Sequence, residues 1–552
     1  MPTITLNKTV FEKLSGKTLP IEKLKDRISY LGTALESIEG DKIVVEIFPN
    51  RPDMLSEQGL ARAFSSFMGV NVGLKEYKVE KSGEKVVIDK SVSQIRPYTA
   101  CAIIKGLSFE DEKIREIIQI QEKLHVTYGR NRKKVAIGIY PYEKITPPIT
   151  FLAKKPEEIK FRPLEFPREI TGRQILSQHP TGRDYGHLLE GKEKYPIFVD
   201  ANNQILSMPP IINSHDVGKI TEKTKDVFVE CSGFDFEVLS KCLNMIVCAL
   251  ADMGGKIYSM ELEYPDQKLT TPNLEPEEMK VDIDYINKRL GLKLTEQETK
   301  QYLERMGYGY KNKKALIPAY RVDVLHQIDL AEDIAIAYGY ENFQEEIPKV
   351  ATIAEESKTE KFIRRTANLL VGLDLLETNT YHLMSKDELN TKMCLELLPI
   401  ELENAPADYN CLRNWMTPSL MKVLSENKHN DYPQKIFEIG TVFIMDETQE
   451  TNVKEQKRLT VLTTNTKADY TEAKQILDYF MKALNLKYVI EETEHDSFIA
   501  GRVGRVLVDG IKVAYIGEIH PQVLDNWKLE MPTAGFEINI TELCEIVNKK
   551  QG

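Results

Sequence analysis

The chain has 552 residues, several times the roughly 100 to 200 of a single domain, which predicts about three or four units with separate cores. Hydrophobic residues make up 42% and charged residues 28%, the balance of a folded globular protein, which argues against long disordered tracts. Lysine and arginine number 73 against 84 acidic residues, so the net charge of −11 demands no polyanionic partner. Any nucleic acid must meet a local positive patch or another subunit.

The cysteines and the most apolar stretch indicate the compartment. Seven cysteines show no C-x-x-C spacing, and an odd number argues against a full disulfide framework, so we expect a reducing, cytoplasmic location. The first residues lack the apolar run of a signal peptide. VLSKCLNMIVCALADMG is interrupted by Lys241, Asn244 and Asp252, while its apolar residues keep helical spacing. This pattern predicts a core helix over 238–252 rather than a membrane span.

The first predicted elements are a strand-like run and a capped helix. IVVEIFPNRPDMLSEQGLARAFSSFMG passes from an apolar run through a proline-rich turn to Ser56, a helix-capping residue. The lysine- and glutamate-rich segment near 75–90 predicts a connection. Between about 90 and 262, β-like runs such as AIGIY and YPIFV mix with helical patterns, which predicts a compact α+β unit.

Prolines make residues 263–278 a predicted linker, because proline disfavours both helix and sheet. MKVDIDYINKRLGLKLTEQETKQYLERMGY then predicts a strand and two helices, the second opened by a capping box of Thr295 and Glu298. From about 350 to 552, one amphipathic helix, FIRRTANLLVGL, precedes β-rich runs such as KIFEIGTVFIM. We predict many antiparallel strands with a few helices there.

An acidic cluster in RVDVLHQIDLAEDIAIAYGY, residues 321–340, allows two interpretations. Asp329 and Glu332 have the D-x-x-E spacing of a capped helix start, where unpaired N–H groups stabilise carboxylates. Helical rotation places Asp333 with these two, opposite the apolar residues, and Asp323 precedes them. Oxygen ligands also suit Mg²⁺, which takes one or two direct carboxylates. The spacing alone does not decide between a metal site and an ordinary acidic helix start.

HVTYGRNRKK, residues 125–134, combines a tyrosine with four basic residues, Arg130, Arg132, Lys133 and Lys134. It is the best candidate for RNA contact in its unit, because cationic side chains neutralise backbone phosphates. A charge run is more often a solvated surface, and that interpretation stays open.

Motifs in a fixed order along the chain resemble one known family. EIFPNRPDMLSEQGLARA, HPTGRDYGHLL, MPPIINS, FVEC and the stretch 321–340 are followed by LRNWMTPSLM, PQKIFEIGTVF and IGEIHPQVL. Together they resemble the beta subunits of phenylalanyl-tRNA synthetase, of the shorter archaeal type. The resemblance runs along essentially the whole chain.

The resemblance implies an α+β multidomain protein. Its parts are a B1 N-terminal domain (1–85), a B3/B4 α+β editing domain (90–262), a winged-helix-like B5 domain with an acidic magnesium site (270–346), and a class II synthetase-like antiparallel-sheet domain (350–552). The last part lacks catalytic motifs, since LRNWMTPSLM has Arg413 without the usual Arg-x-Glu pair and GRVGRV poorly replaces a glycine-rich ATP-binding segment. We therefore expect ATP and phenylalanine to bind to the alpha subunit of an (αβ)₂ heterotetramer that charges tRNA(Phe).

The resemblance also implies two sites. Hydrolysis of mischarged Tyr-tRNA(Phe) is assigned to B3/B4, where the matching residues are Phe198, Ser207, Asn213, Glu230 and Ser232. A magnesium ion near the alpha subunit matches Asp323, Asp329, Glu332 and Asp333.

In the editing set, Glu230 is expected to accept a hydrogen bond from the tyrosyl hydroxyl. Asn213, Ser207 and Ser232 are expected to position the ester or a water, because no Ser-His-Asp or Cys-His nucleophile is evident. The alternative is a non-enzymatic structural and tRNA-binding scaffold of the same complex, in which these polar residues serve ordinary turns.

Overall fold

The computed structural model describes residues 2–347, 354–405 and 408–551. The chain divides into two compact units, Met1–Ile347 and Pro348–Gly552. Within the described ranges, no helix is both long and apolar enough to cross a membrane.

The first unit mixes helices with short and long strands. Its helices are α1 (Lys8–Ser15), α2 (Ile21–Tyr30), α3 (Glu57–Phe67), α4 (Asp111–Val126), α5 (Gly172–Gln178), α6 (Pro180–Tyr185), α7 (His215–Gly218), α8 (Phe236–Asp252), α9 (Ile283–Leu290), α10 (Glu296–Arg305) and α11 (Gln327–Tyr338). Its strands are β1 (Thr3–Asn7), β2 (Ala34–Glu39), β3 (Lys42–Glu46), β4 (Val79–Ile88), β5 (Tyr98–Lys105), β6 (Val135–Pro141), β7 (Ile149–Lys154), β8 (Lys160–Phe161), β9 (Ile170–Thr171), β10 (Tyr195–Val199), β11 (Ile205–Met208), β12 (Ile212–Asn213), β13 (Val227–Gly233), β14 (Lys256–Glu263), β15 (Lys268–Thr271), β16 (Glu277–Lys280), β17 (Gly309–Lys311) and β18 (Lys314–Ile317).

A large mixed sheet organises this unit. Its strand order is β12-β11-β10-β7-β4-β14-β5-β13-β6, with β15 paired to β14. Smaller sheets have the orders β1-β3-β2 and β16-β18-β17, and β8 pairs with β9. The large sheet therefore brings β6, β11 and β13, which are distant in sequence, into one layer.

The predicted core helix over 238–252 is confirmed as α8. Asp235 caps it, because its carboxylate accepts hydrogen bonds from the N–H groups of Glu237 and Val238. The helix buries Leu239 and Leu243 against a core that also contains residues of β5 and β13. The helical spacing of the apolar residues therefore correctly indicated the face of α8 that packs on the sheet.

The predicted helix caps at Ser56 and Thr295 are also confirmed. Ser56 Oγ accepts a hydrogen bond from Gly59 N at 2.9 Å and opens α3. Thr295 and Glu298 form a capping box at the start of α10. Caps are local interactions, so a short sequence window is enough to predict them.

Two segments predicted as connections contain strands. β4 lies inside the segment near 75–90 and pairs in parallel with β14 and β7, burying Val86 and Ile88. β15 lies inside the predicted linker and pairs with β14. The prediction of connections was wrong for these two segments. Each forms a strand because it hydrogen-bonds to a strand that is distant in the sequence, although its own residues are largely charged or polar.

The second unit is built on an antiparallel sheet with one parallel edge pair. Its helices are α12 (Lys358–Val371), α13 (Lys386–Leu389), α14 (Thr417–Glu426), α15 (Tyr470–Ala483), α16 (Pro521–Asn526) and α17 (Ile540–Gln551). Its strands are β19 (Leu376–Glu377), β20 (Leu383–Met384), β21 (Ile400–Glu401), β22 (Cys411–Leu412), β23 (Gln434–Met445), β24 (Val453–Thr464), β25 (Val489–Glu492), β26 (Phe498–Val508), β27 (Ile511–Ile519) and β28 (Thr533–Asn539).

The main sheet of this unit has the order β19-β23-β24-β28-β27-β26-β25, and a smaller sheet has the order β20-β22-β21. Alternate residues of β24 face different cores: Val461 packs with α12 and α15, whereas Leu462 packs with α14 and α16. The predicted amphipathic helix and antiparallel strands are confirmed. The sequence prediction did not identify α15 and α17.

Candidate functional site

A cavity of about 430 Å³ lies between α4, the turn from β11 to β12, and the large sheet. Ile114 and Ile117 of α4 contribute apolar wall, and Ser207, Asn213 and Glu230 contribute polar groups. An apolar cavity with a few converging polar groups is the usual form of a small-molecule site, and this volume is in the usual range.

Tyr140 joins the three polar residues of this cavity. Its Oη lies 2.8 Å from Ser207 Oγ, 3.1 Å from Glu230 Oε1 and 3.4 Å from Asn213 Oδ1. Burial raises the pKa of Tyr140 well above its usual value, so the phenol keeps its single proton. It therefore donates to one neighbour and is available to accept from another. Sequence reasoning did not identify Tyr140, although the run AIGIY that contains it was recognised as β-like.

Gly138 makes room for this arrangement. It lies opposite Glu230 in the pairing of β6 with β13. A Cβ at position 138 would overlap the Tyr140 hydroxyl and lie 2.6 Å from Glu230 Oε1. The close approach of Tyr140 to Glu230 therefore requires glycine at this position.

Glu230 carries an unused hydrogen-bonding atom. Its side chain is buried, and Oε2 has no hydrogen-bond partner within the described part of the chain. Burial raises the pKa of Glu230 to about 8, even though Tyr140, the Arg96 charge and the Ser232 hydroxyl act in the opposite direction. An unpaired buried carboxyl oxygen is costly, so a ligand that hydrogen-bonds to it is favoured.

His125 adds a second unpaired group to the cavity wall. Its Nε2 accepts a hydrogen bond from Ile137 N at 2.8 Å, which assigns the proton of the neutral ring to Nδ1. Burial lowers the pKa of His125, which favours that neutral form. Nδ1 is buried without a hydrogen-bond partner in the described residues and lies 3.6 Å from Glu122 Oε1. The cavity thus offers an N–H donor as well as the carboxyl oxygen of Glu230.

Phe198 and Ser232, the other two predicted editing residues, do not line the cavity. Phe198 is directly opposite Ser207 in the pairing of β10 with β11, and its ring stacks on Phe151 at a centroid distance of 4.3 Å. Ser232 Oγ accepts a hydrogen bond from Arg96 Nε at 3.0 Å. These residues support the strands that carry Ser207 and Glu230.

The four basic residues predicted to contact RNA fall into two groups. Arg130, Lys133 and Lys134 are exposed. Arg132 is largely buried, donates from Nη1 to Ile211 O at 2.8 Å, and lies over the Tyr185 ring. Three residues are therefore free to meet a partner, whereas Arg132 holds the cavity wall.

The backbone of this turn has an unusual conformation. Arg130, Asn131 and Arg132 have φ angles of 47°, 52° and 65°, which place three successive non-glycine residues in the left-handed region. Such conformations cost roughly 1–3 kcal/mol each and persist where surrounding contacts impose them. Here the bonds of Arg132 to the β11–β12 turn are such contacts.

The acidic stretch differs from its prediction in two respects. α11 begins at Gln327 with His326 as its cap, and Asp329 reaches back to accept from Leu325 N and His326 N, both at 2.7 Å. The predicted Asp329–Glu332 cap is therefore wrong, because a histidine ring nitrogen caps the helix instead. Asp333 is buried rather than grouped with the exposed Glu332.

Asp323 and Asp333 are partners of the buried Arg321. Arg321 donates to both carboxylate oxygens of Asp323, at 2.8 and 2.7 Å, and to Asp333 Oδ2 at 2.8 Å. Burial alone would raise the pKa of Asp323, but Arg321 more than offsets this and lowers it. Tyr308 also donates to Asp333.

The four carboxylates do not fit a complete magnesium shell. Among the described residues, no group of three or more histidine, cysteine, aspartate or glutamate side chains is arranged to hold a metal. The Arg321 guanidinium is already hydrogen-bonded to Asp323 and Asp333, and its charge would repel a cation placed beside them. The magnesium site at this position stays a prediction.

Arg413 of the second unit is fully engaged inside the protein. Its side chain is 1% exposed, and Nη1 lies 3.1 Å from Glu438 Oε1. Nε donates to Thr441 O at 2.8 Å. A guanidinium with these partners is not free to bind a nucleotide.

Two family models match the chain. The model described as "tRNA synthetase B5 domain" matches residues 279–340. The model described as "Phenylalanyl tRNA synthetase beta chain CLM domain" matches residues 344–540. Together they cover most of the chain beyond α8.

Three full-length relatives share one name. Similar proteins named "Phenylalanine--tRNA ligase beta subunit" occur in Pyrococcus furiosus, with 42% identity over 98% of this chain and 100% of the relative, and in Thermococcus kodakarensis, with 40% identity over 98% and 99%. The protein of that name from Archaeoglobus fulgidus is 36% identical over 98% of both chains.

A solved structure resembles the N-terminal part. It is an N-terminal fragment of the phenylalanyl-tRNA synthetase beta subunit from Pyrococcus horikoshii, 40% identical, with a TM-score of 0.59. The match covers 61% of this chain and 99% of the fragment.

Proposed function

The chain belongs to the family of phenylalanine–tRNA ligase beta subunits, and on that premise we propose that it hydrolyses mischarged Tyr-tRNA(Phe) while its alpha partner attaches phenylalanine. It is a subunit of a class II aminoacyl-tRNA synthetase. The proposed assembly is an (αβ)₂ heterotetramer that binds tRNA(Phe). Seven free thiols agree with a cytoplasmic location.

The need for editing follows from the chemistry of the two amino acids. Tyrosine is phenylalanine with one added hydroxyl, and an apolar synthetic site rejects such an addition only weakly, by about 100-fold in comparable cases. A second site that hydrogen-bonds to the hydroxyl can select the wrong product instead. That selectivity is larger, because a buried polar group left unpaired by phenylalanine disfavours its binding.

The unpartnered Oε2 of Glu230 is the observation that carries this proposal. It lies on a buried side chain that lines the cavity, so a tyrosyl hydroxyl supplies the missing hydrogen bond. Phenylalanine cannot supply it. The isoleucines of α4 are available to pack against the rest of the ring, which both amino acids share.

Hydrolysis is proposed to use an oriented water. Ser207, Asn213 and the Nδ1–H group of His125 offer polar contacts to the ester or to that water. Positioning a water beside an ester lowers the activation barrier without a covalent intermediate. Phe198 and Ser232 act as supports of β10 and β13 in this proposal.

The exposed Arg130, Lys133 and Lys134 are proposed to contact tRNA backbone phosphates. They lie on the turn that carries Arg132, whose side chain reaches the cavity wall at Ile211. Basic groups on this turn favour the approach of the charged tRNA end, and their contribution weakens with salt.

We propose a magnesium site with fewer protein ligands than the four carboxylates predicted from the resemblance. Asp329 and Glu332 are one helical turn apart and are not bonded to Arg321, so they are the carboxylates available for an ion that keeps most of its waters. Magnesium should then raise the unfolding temperature of the assembled ligase less in Glu332→Gln than in wild type. An equal rise in both would remove Glu332 from the site.

ATP and phenylalanine are proposed to bind to the alpha subunit. The engagement of Arg413 with Glu438 and Thr441 supports this division, because it leaves no free guanidinium in the motif LRNWMTPSLM. Phenylalanine-dependent exchange of pyrophosphate into ATP by the purified chain alone would contradict it.

The editing proposal is tested by deacylation of Tyr-tRNA(Phe) with the assembled ligase. Glu230→Ala and Asn213→Ala should slow release of tyrosine at least tenfold while leaving phenylalanine attachment intact. Glu193→Ala, which removes an exposed carboxylate, is the matched control. Release no faster than in buffer by the wild-type ligase would favour the scaffold alternative instead.

A further inference from the structure

The cavity around Glu230 opens to solvent through a mouth formed by four residues. These are the exposed residues among those that line the cavity: Ile118, Glu122, Glu165 and Lys219. The groups proposed to contact tyrosine and its ester lie deeper, since Ser207 and Glu230 are buried. A ligand that extends from the buried groups into solvent therefore passes the side chains of the mouth.

The charges of the mouth differ in whether they are compensated. Glu122 Oε1 lies 3.1 Å from Arg132 Nη2, so an ion pair already holds this carboxylate. Lys219 and Glu165 form no ion pair with each other or with any other residue that the structure describes. The mouth thus presents one unpaired ammonium group and one unpaired carboxylate to a ligand.

Lys219 directly follows a short helix that packs beside the polar part of the cavity. This helix, α7, ends at Gly218, where a Cβ would lie 3.0 Å from Asn213 Cβ and 3.8 Å from Tyr140 Cδ1. Since consecutive Cα atoms are about 3.8 Å apart, the Lys219 backbone is one residue away from the contact with Asn213. The long, flexible side chain of Lys219 is therefore within reach of a ligand that Asn213 holds.

Apolar side chains border the same mouth. Ile118 of α4 is 55% exposed, and Ile114 and Ile220, which also line the cavity, are partly buried. An exposed apolar side chain gains free energy when a ligand covers it and removes its surface from water. The mouth therefore offers an apolar surface for a flat ring beside one cation and one anion.

We propose that the mouth binds the last nucleotide of the tRNA, with Lys219 contacting its 5′-phosphate and Ile118 packing against its base. This inference rests on the proposed editing function, in which an ester joins tyrosine to that nucleotide. An aminoacylated nucleotide carries a phosphate and an α-ammonium group, which complement the charges of Lys219 and Glu165. Free tyrosine esters have neither phosphate nor base, so Lys219 and Ile118 favour the tRNA-linked ester over them.

The test uses adenosine that carries tyrosine at its 3′ position through an amide, which resists hydrolysis, prepared with and without a 5′-phosphate. Calorimetric titration of the assembled ligase at constant ionic strength measures both affinities. In wild type, we expect the phosphate to tighten binding by roughly fivefold, as a single exposed charge pair does at most. Lys219→Gln should bind the two analogues equally. Lys223→Gln removes an exposed ammonium that does not line the cavity, so this control should keep the wild-type preference.

A second pair of variants tests the apolar contact. Ile118→Ala should weaken binding of both analogues by about threefold, because less apolar surface is covered, and should leave the preference for phosphate unchanged. Val126→Ala is the matched control, since Val126 is 50% exposed on the same helix but does not line the cavity. Equal affinities of Ile118→Ala and Val126→Ala would remove Ile118 from the site.

A wild-type preference for phosphate in Lys219→Gln, or no preference in wild type, would overturn the Lys219 contact and leave the editing proposal intact. Glu230→Ala separates the two proposals, because it should weaken binding of both tyrosyl analogues but not of their phenylalanyl counterparts. Unchanged binding of the tyrosyl analogues by Glu230→Ala would overturn the editing proposal together with this one. Any site on the alpha subunit is the same in every variant, so the differences between variants report on this cavity.

Discussion

The Tyr140 hydroxyl lies 2.8 Å from Ser207 Oγ, although 67 positions separate the two residues in the chain. The same oxygen lies 3.1 Å from Glu230 Oε1 on β13. One buried phenol thus connects three strands at the cavity. It fixes the position of Glu230, which is proposed to select tyrosine, and that of Ser207, which is proposed to contact the ester or the water.

Replacing Tyr140 with phenylalanine should slow hydrolysis of Tyr-tRNA(Phe) by roughly tenfold. The change removes one oxygen and leaves Glu230 with no hydrogen bond from β6, a loss of about 1–3 kcal/mol in a buried site. Because Tyr140 is a positioning residue, we expect the turnover number to fall more than the Michaelis constant rises. Steady-state deacylation measures both, with Tyr195→Phe as control. If the turnover number of Tyr140→Phe fell only as much as that of Tyr195→Phe, Tyr140 would have no positioning role.

Gly138→Ala should impair editing more than Tyr140→Phe does. The added Cβ would displace both the Tyr140 hydroxyl and the Glu230 carboxyl, and forcing one extra methyl into a packed site typically costs about 1–3 kcal/mol. Gly186→Ala is a matched control, because the nearest atom to its Cβ would be 3.7 Å away. Deacylation rates and unfolding temperatures of both variants check this. Wild-type editing by Gly138→Ala would show that the strand can shift freely.

Glu230→Gln should become more stable than wild type as the pH rises. The folded pKa of Glu230 is raised to about 8, above its usual value of 4.5, so the folded chain retains a proton that the unfolded chain releases. The protonated Glu230 therefore adds to the free energy of unfolding of wild type. This contribution is complete below pH 4.5 and is lost between pH 4.5 and 8. Each unit of that interval corresponds to about 1.4 kcal/mol, which gives a few kcal/mol in all.

Thermal unfolding of wild type and Glu230→Gln at pH 5, 6.5, 8 and 9 measures this difference. It should increase up to pH 8 and then level off, while Glu193→Gln should follow wild type throughout. A constant difference over this range would mean that Glu230 is ionised in the folded protein at neutral pH.

Combined replacement of Arg130, Lys133 and Lys134 by glutamine should weaken tRNA(Phe) binding in a salt-dependent manner. Each lost phosphate contact on a single strand reduces the slope of log affinity against log salt by about 0.7. Arg132→Gln should instead slow deacylation at every salt concentration, because it releases Ile211 from the cavity wall. Filter binding and deacylation at several salt concentrations separate the two effects. If the two variants behaved identically, Arg132 and the three exposed basic residues would not have the different roles proposed for them.

Arg413→Met should destabilise the second unit without altering amino acid activation. Removing one member of a buried ion pair leaves the charge of Glu438 uncompensated, at a cost of about 3–5 kcal/mol. Combining Arg413→Met with Glu438→Leu should restore part of the loss. Thermal unfolding and pyrophosphate exchange of the assembled ligase, measured below the unfolding temperature, are the readouts. A specific loss of ATP affinity would show that Arg413 serves the nucleotide instead.

The sequence by itself determined the features that depend on neighbours within one or two turns. The cap at Ser56, the capping box at Thr295 and the apolar face of α8 are of this kind, since each is set by spacings of about four residues. The ordered motifs identified the family, and through it they indicated Ser207, Asn213 and Glu230, which line one cavity.

Only the tertiary structure decided which groups meet across long separations in the chain. Spacing cannot show that Tyr140 on β6 reaches Ser207 on β11 or that Gly138 leaves room for it, because these residues meet only when strands far apart in the sequence fold together. For the same reason the acidic spacing of this stretch could not show that Arg321 is paired with both Asp323 and Asp333. The partner of a buried charge is set by packing, and packing brings together residues that the sequence keeps apart.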